Sequence, residues 1–148
     1  MTIIGMDPHK RSATIEIIDD TGEVLGVGRY GTDKNGYAEM LTAGRQFANR
    51  IWAVEGCNGI GRHIARRLVH DGETVLDVPA KLSAQVRVFA TGNGRKTDPV
   101  DAHSVAMAAL RRPRTRKSAG AISRCTRSRV PNQSTGSSAS LAVVPVGA

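Results

Sequence analysis

The sequence predicts an α/β domain with a mixed sheet over residues 1–110, followed by a disordered basic tail over residues 111–148. Three observations carry this. Three short β-branched runs come first, and strand-like and helix-like segments then alternate. Turn-forming residues fall between the runs. Charge is balanced up to Leu110 and of one sign after it.

Thr2 to Met6 is short, apolar and isoleucine-rich, and reads as a buried strand. Ala13 to Ile18 (ATIEII) is β-branched and partly alternating, a second strand. Asp19-Asp20-Thr21-Gly22 forms a turn, and Glu23 to Tyr30 returns as a third, so these three make an antiparallel meander. Thr32 or Asp33 offers an N-cap for a helix over Gly36 to Asn49, with Tyr37, Met40, Leu41 and Phe47 at roughly helical spacing. Ile51 to Val54 is a fourth strand, ending at Glu55. Asn58 to His70 reads as a helix with Ile60, Ile64 and Leu68 on one stripe, closed by Asp71-Gly72. Thr74 to Val78 is a fifth strand. Pro79 to Ala90 is mixed and fits a short helix, and Thr91 to Lys96 a flexible loop. Asp98 to Leu110 is a last helix, with Pro99 at its first turn.

The chain has 148 residues and a formal net charge of +8. Eight of its 21 basic residues lie in 111–148, where there is no acid. That leaves 13 basic against 13 acidic residues in the first 110. The excess charge therefore belongs to the tail. The tail is Arg-, Ser-, Pro- and Ala-rich, and cannot bury enough apolar surface to offset its ordering entropy. Cys57 and Cys125 make neither a disulfide framework nor a metal cluster, which suits a reducing cytoplasmic setting. No stretch is apolar enough to span a bilayer, and no signal peptide opens the chain, so no membrane partner is expected. The four histidines have no metal-ligand spacing; His103 lies near an acidic helix face. Trp52 and Met40 read as core.

The chemistry is in the carboxylates. Asp7 ends the first strand, Glu55 ends the fourth, and Asp98 and Asp101 open the last helix, three apart and so on one face. First and fourth strands running side by side and parallel would bring Asp7 and Glu55 together. Four converging carboxylates repel unless a cation neutralises them or some are protonated. Their all-oxygen donors favour Mg²⁺ or Mn²⁺, and two such ions can activate water and stabilise a phosphodiester leaving oxygen. Pro8 holds the strand tip extended and removes a competing donor. Taken singly, each acid has an ordinary structural reading: a turn cap for Asp7, a solvated strand end for Glu55, an N-cap with a first-turn partner for Asp98 and Asp101.

GMDPHK, VEGCNG and KTDPVDA, in this order, resemble the N-terminal domain of the DEDD transposases of insertion sequence family 110, over about residues 3 to 110. The resemblance implies a ribonuclease-H-like (RuvC-like) fold. It implies that Asp7, Glu55, Asp98 and Asp101 are the catalytic carboxylates that bind Mg²⁺, and that the partners are DNA and a structured guide RNA from the element. Multimeric assembly is also implied. From charge and position, Lys10, Arg95 and Lys96 are candidates for phosphate contacts; Arg62 reads equally as a solvated helix residue.

Full-length members continue into a second domain that supplies a catalytic serine. No tail serine sits in a matching context, so the expectation is a truncated transposase, incomplete as an enzyme on its own. The change of composition after Leu110 suggests a shifted reading frame, which sequencing of the downstream locus would test. Two other functions compete. A non-catalytic nucleic-acid-binding remnant would bind through the tail alone. An actin-like or sugar-kinase phosphotransferase also places an Asp at the first strand end. It needs glycine-rich phosphate loops, whereas PHKRSA follows Asp7.

Overall fold

The structure is a computed structural model. It describes the backbone of residues 1–91 and 98–112, and side chains outside 89–99 within that range. Residues 92–97 of the expected loop and 113–148 of the basic tail, with Arg95, Lys96 and Cys125, lie outside the described residues.

β1 (Thr2–Pro8) and β2 (Ser12–Ile18) are buried on both faces from their second residue onward. That explains why they read as nearly continuous apolar runs instead of alternating ones. β1 runs two residues further than Met6, because Asp7 and Pro8 still pair with Thr14 and Ala13. β3 (Val24–Gly31) pairs only with β2 and is largely exposed, as befits an edge. The β2–β3 turn is held by the Asp19 carboxylate, which accepts from Thr21 N at 2.8 Å and Glu23 N at 2.9 Å.

α1 (Lys34–Arg45) is capped by Asp33, whose Oδ1 accepts from Asn35 N at 2.9 Å and Gly36 N at 3.0 Å. These two bonds hold the carboxyl below the usual carboxylate range. Asp33→Ala should measurably lower the thermal midpoint, and Asp33→Asn, which keeps an acceptor, should restore most of it. The helix ends at Arg45, not at Asn49. Phe47 N turns back to Gly44 O, and Asn49, at φ 51°, swings the chain into β4 (Arg50–Glu55).

α2 (Arg62–His70) begins four residues later than Asn58. The glycines of GCNGIG favour turns over helix. Gly56 sits at φ 66°, and Gly59 N and Gly61 N both bond its carbonyl. β5 (Val75–Val78), α3 (Ala80–Thr91) and α4 (Asp98–Leu110) complete the order.

The five strands lie in the order β3-β2-β1-β4-β5, with β1 antiparallel to β2 and parallel to β4, and β4 parallel to β5. Alternation splits the core into two layers. Ile4, Met6, Ile15, Ile17, Trp52 and Val54 face α1 and α2, while Ile3, Ile18, Ala53 and Val78 face α4. Trp52 and Met40 are fully buried. The mixed sheet covered by helices on both faces agrees with the expected fold class. Among the described residues no helix is long and apolar enough to cross a membrane.

Candidate active site

Paired residues on neighbouring strands share a face, and the last pair of β1 with β4 is Met6 with Val54. One step further come Asp7 and Glu55, on the opposite face, which is the α4 side. Asp7 is 6% exposed and pairs in register with Thr14 of β2. Gly5, one alternation back, is where α4 crosses. A Cβ on Gly5 would fall on the Ala102 carbonyl oxygen and lie 2.6 Å from Ala106 Cβ and N. The missing side chain lets the first turns of α4 settle onto the C-terminal half of β1. Asp101, one residue before Ala102, is thereby buried to 2% exposure beside the strand ends. Asp98 stands at the first position of the same helix; its side chain lies outside the described residues. Fold topology thus brings Asp7, Glu55 and the start of α4 to one edge.

Each described carboxylate has a protein partner. His9 Nε2 lies 3.0 Å from Asp7 Oδ2. Glu55 Oε1 accepts from the Ser83 hydroxyl of α3, whose oxygen also lies 3.0 Å from Ala80 O. Arg87, one turn further along α3, places Nε 2.9 Å from Asp101 Oδ1. Asp101 Oδ2 is buried and has no hydrogen-bond partner among the described residues. Beside these acids, Glu16 of β2 bonds His103 Nδ1 of α4. His103 therefore engages Glu16, a carboxylate of the neighbouring strand.

Glu16, Ser83 and Arg87 were not singled out in the sequence. Glu16 had a signal: a charge inside ATIEII, on the same face as Thr14 and Ile18. Ser83 and Arg87 are four apart on one face of the expected helix, but the segment's mixed pattern marked neither as a site residue. Lys10 is exposed at the β1–β2 turn.

The donor set fits a hard divalent cation: carboxylate oxygens only, one of them buried and unsatisfied. In the present arrangement, no three His, Cys, Asp or Glu side chains among the described residues stand close enough to hold an ion together. For Asp101 to offer both oxygens, Arg87 must turn aside.

A five-stranded sheet with three antiparallel strands first, helices on both faces, and acids at the ends of two adjacent parallel strands defines a ribonuclease-H-like, RuvC-like domain. Among solved structures, Thermus thermophilus RuvC in complex with a Holliday junction substrate superposes with a TM-score of 0.52 at 15% identity, covering 74% of this chain and 93% of that one. Thermus thermophilus RuvC in a second structure gives 0.52 at 16% identity, over 74% and 94%. The fowlpox virus Holliday junction resolvase gives 0.51 at 13%, over 74% and 97%. At these identities the likeness is one of fold. No curated protein matches by sequence. The profile of the insertion sequence 110 family of DEDD transposases, described as Transposase, matches residues 4–127, and the chain belongs to that family. The match continues past Leu110 into the basic segment.

Proposed function

We propose that this chain supplies the metal-dependent, DNA-cleaving half of a transposase, with Asp7, Glu55, Asp98 and Asp101 as ligands of Mg²⁺ or Mn²⁺. One observation supports this most: α4 crosses β1 at Gly5 and so lays its acidic first turn beside the ends of β1 and β4. When bound, the cation would polarise a DNA phosphate and lower the pKa of a coordinated water.

The chain's own part is positional. β1 and β4 hold Asp7 and Glu55 at fixed spacing on a rigid sheet. α4 presents Asp101 from above, and Asp98 stands at the first position of the same helix. Ser83 orients the Glu55 carboxylate, and His9 does the same for Asp7. Lys10, with Arg95 and Lys96, would steady the phosphate backbone. On this reading a structured RNA would guide the DNA reaction and a serine-bearing domain would complete it. The boundary near residue 110 is part of the same reading.

Thermal unfolding of the full chain during Mg²⁺ and Mn²⁺ titration tests this. At a hundredfold excess over Kd, binding should add about 2.7 kcal/mol of stability. Asp7→Asn with Asp101→Asn should abolish the gain. An equal gain in wild type and variant, or none in either, would reject the four carboxylates as ligands.

A further inference from the structure

Helix α2 reads RHIARRLVH. Ile64, Ala65 and Leu68 are buried, whereas Arg62, His63, Arg66 and His70 are exposed. The helix contains no acid. Arg62 and Arg66, four apart, are like charges on adjacent turns, an arrangement that weakens a helix. Solvated helix faces ordinarily mix signs. Three arginines of other elements have acid partners: Arg50 and Arg45 meet Glu73, and Arg87 meets Asp101. Arg62 has no ion-pair partner among the described residues.

The face is also preorganised. His63, Arg66, Arg67, His70 and Asp71 line a groove of about 370 Å³. The Arg67 guanidinium is stacked 3.7 Å above the Tyr37 ring, which fixes its place. Asp71, the acid of the groove, is already engaged: its Oδ2 accepts from the Tyr37 hydroxyl at 2.7 Å, and its Oδ1 lies 3.2 Å from His70 Nδ1. Tyr37 is pushed above the usual phenol pKa, by burial first and then by this bond, so it stays a donor.

The position of the ridge matters most. Arg62 directly follows the turn that leaves Glu55, and a Cβ on Gly61 would lie 2.6 Å from the Glu55 carbonyl oxygen and 3.1 Å from Pro8. The ridge therefore starts at the carboxylate edge. It then runs down the face of the sheet opposite α3 and α4, with Arg62, Arg66 and His70 at intervals of one turn, about 6 Å.

We propose that the exposed face of α2 grips the sugar–phosphate backbone of the DNA duplex arm that leaves the carboxylate edge. This rests on the proposed function, because membership of a transposase family is what makes DNA the polyanion in question. Charge complementarity selects the contact, and a contact with phosphates and not with base edges is blind to sequence.

The test is fluorescence anisotropy of the full chain with a 20-base-pair DNA duplex across a salt series. Arg62→Gln with Arg66→Gln is compared with Arg111→Gln and Arg112→Gln, two exposed cations at the far end of α4. The α2 pair should lose on the order of tenfold in affinity near 0.1 M salt, and its log–log salt slope should fall by about 2. The α4 pair should do neither. Both α2 arginines are exposed, and an unchanged thermal midpoint will confirm an intact fold. Equal losses in the two pairs, or no loss in the α2 pair, would overturn the proposal. So would a loss seen with a stem-loop RNA of equal length and not with the duplex. Asp101→Asn should remove metal stabilisation and leave the salt slope unchanged, so the metal reading and the ridge fail separately.

Discussion

Glu73→Ala should lower the stability of the fold by about 3–5 kcal/mol, the cost of leaving buried partners uncompensated, as measured by urea denaturation. Glu73 sits just before β5, at the end of the sheet opposite the carboxylate edge. Its side chain is 3% exposed. It accepts from Arg50 Nε at 2.7 Å and Nη2 at 2.8 Å, from Arg45 Nε at 3.0 Å, and from Trp52 Nε1 at 2.9 Å. Truncation strands the Trp52 N–H in a fully buried position and leaves Arg50 half-buried without its acid. The pH dependence provides a second measure. The bonds from Arg50 first, and then those from Trp52 and Arg45, outweigh burial and hold the Glu73 pKa down to about 2 from 4.5. A depressed acid contributes its full stability above the unfolded value and loses it as pH falls through the folded one. Wild type should therefore lose about 3 kcal/mol between pH 4.5 and 2 through this group. Glu73→Gln should lack that part of the acid slope. Parallel acid profiles for the two proteins would show that the hub contributes nothing.

Gly5→Ala should cost about 3 kcal/mol and impair the site together with the fold. The added Cβ would meet the Ala102 carbonyl oxygen and the Ala106 backbone, which cannot rotate away as a flexible side-chain end can. α4 must then lift from β1. Lifting α4 opens the layer of Ile3, Ala53, Val105 and Ala106, and carries Asp101 away from Asp7. The expected result is a lower urea midpoint together with a loss of the Mg²⁺-dependent stabilisation. Gly22→Ala should separate the two effects. It is strained at φ 93° in the β2–β3 turn, and so should lower stability without removing the metal effect. Retention of full metal stabilisation in Gly5→Ala would mean that the α4–β1 contact does not set the carboxylate spacing.

Much of this was legible in the sequence because it rests on local rules. The isoleucine runs of β1 and β2, the Asp33 cap and the 13-residue α4 all follow from period, propensity and capping. The errors fell where turns compete with helix. GCNGIG carries apolar Ile60 at helical spacing from Ile64, yet two bonds to the Gly56 carbonyl hold the segment as turns, and Ile60 is exposed. Similarly, the Gln46–Asn49 segment continues an amphipathic pattern that Asn49 breaks by adopting a positive φ. The partners of the acids were less legible. Glu16 meets His103 across 87 positions of sequence and Glu55 meets Ser83 across 28, and no local pattern encodes such pairings.

The sequence by itself determined the kind of elements, their order, and which acids end a strand or open a helix, since these follow from side-chain chemistry over a few residues. Tertiary structure alone decided which face each acid occupies and what it meets there. The parallel pairing of β1 with β4 sets Asp7 beside Glu55. The missing side chain at Gly5 admits α4, and α3 then delivers Ser83 and Arg87 to the same edge. The physical reason is that these relations depend on close packing between segments distant in the chain, where one methyl group at Gly5 decides how near a helix can come.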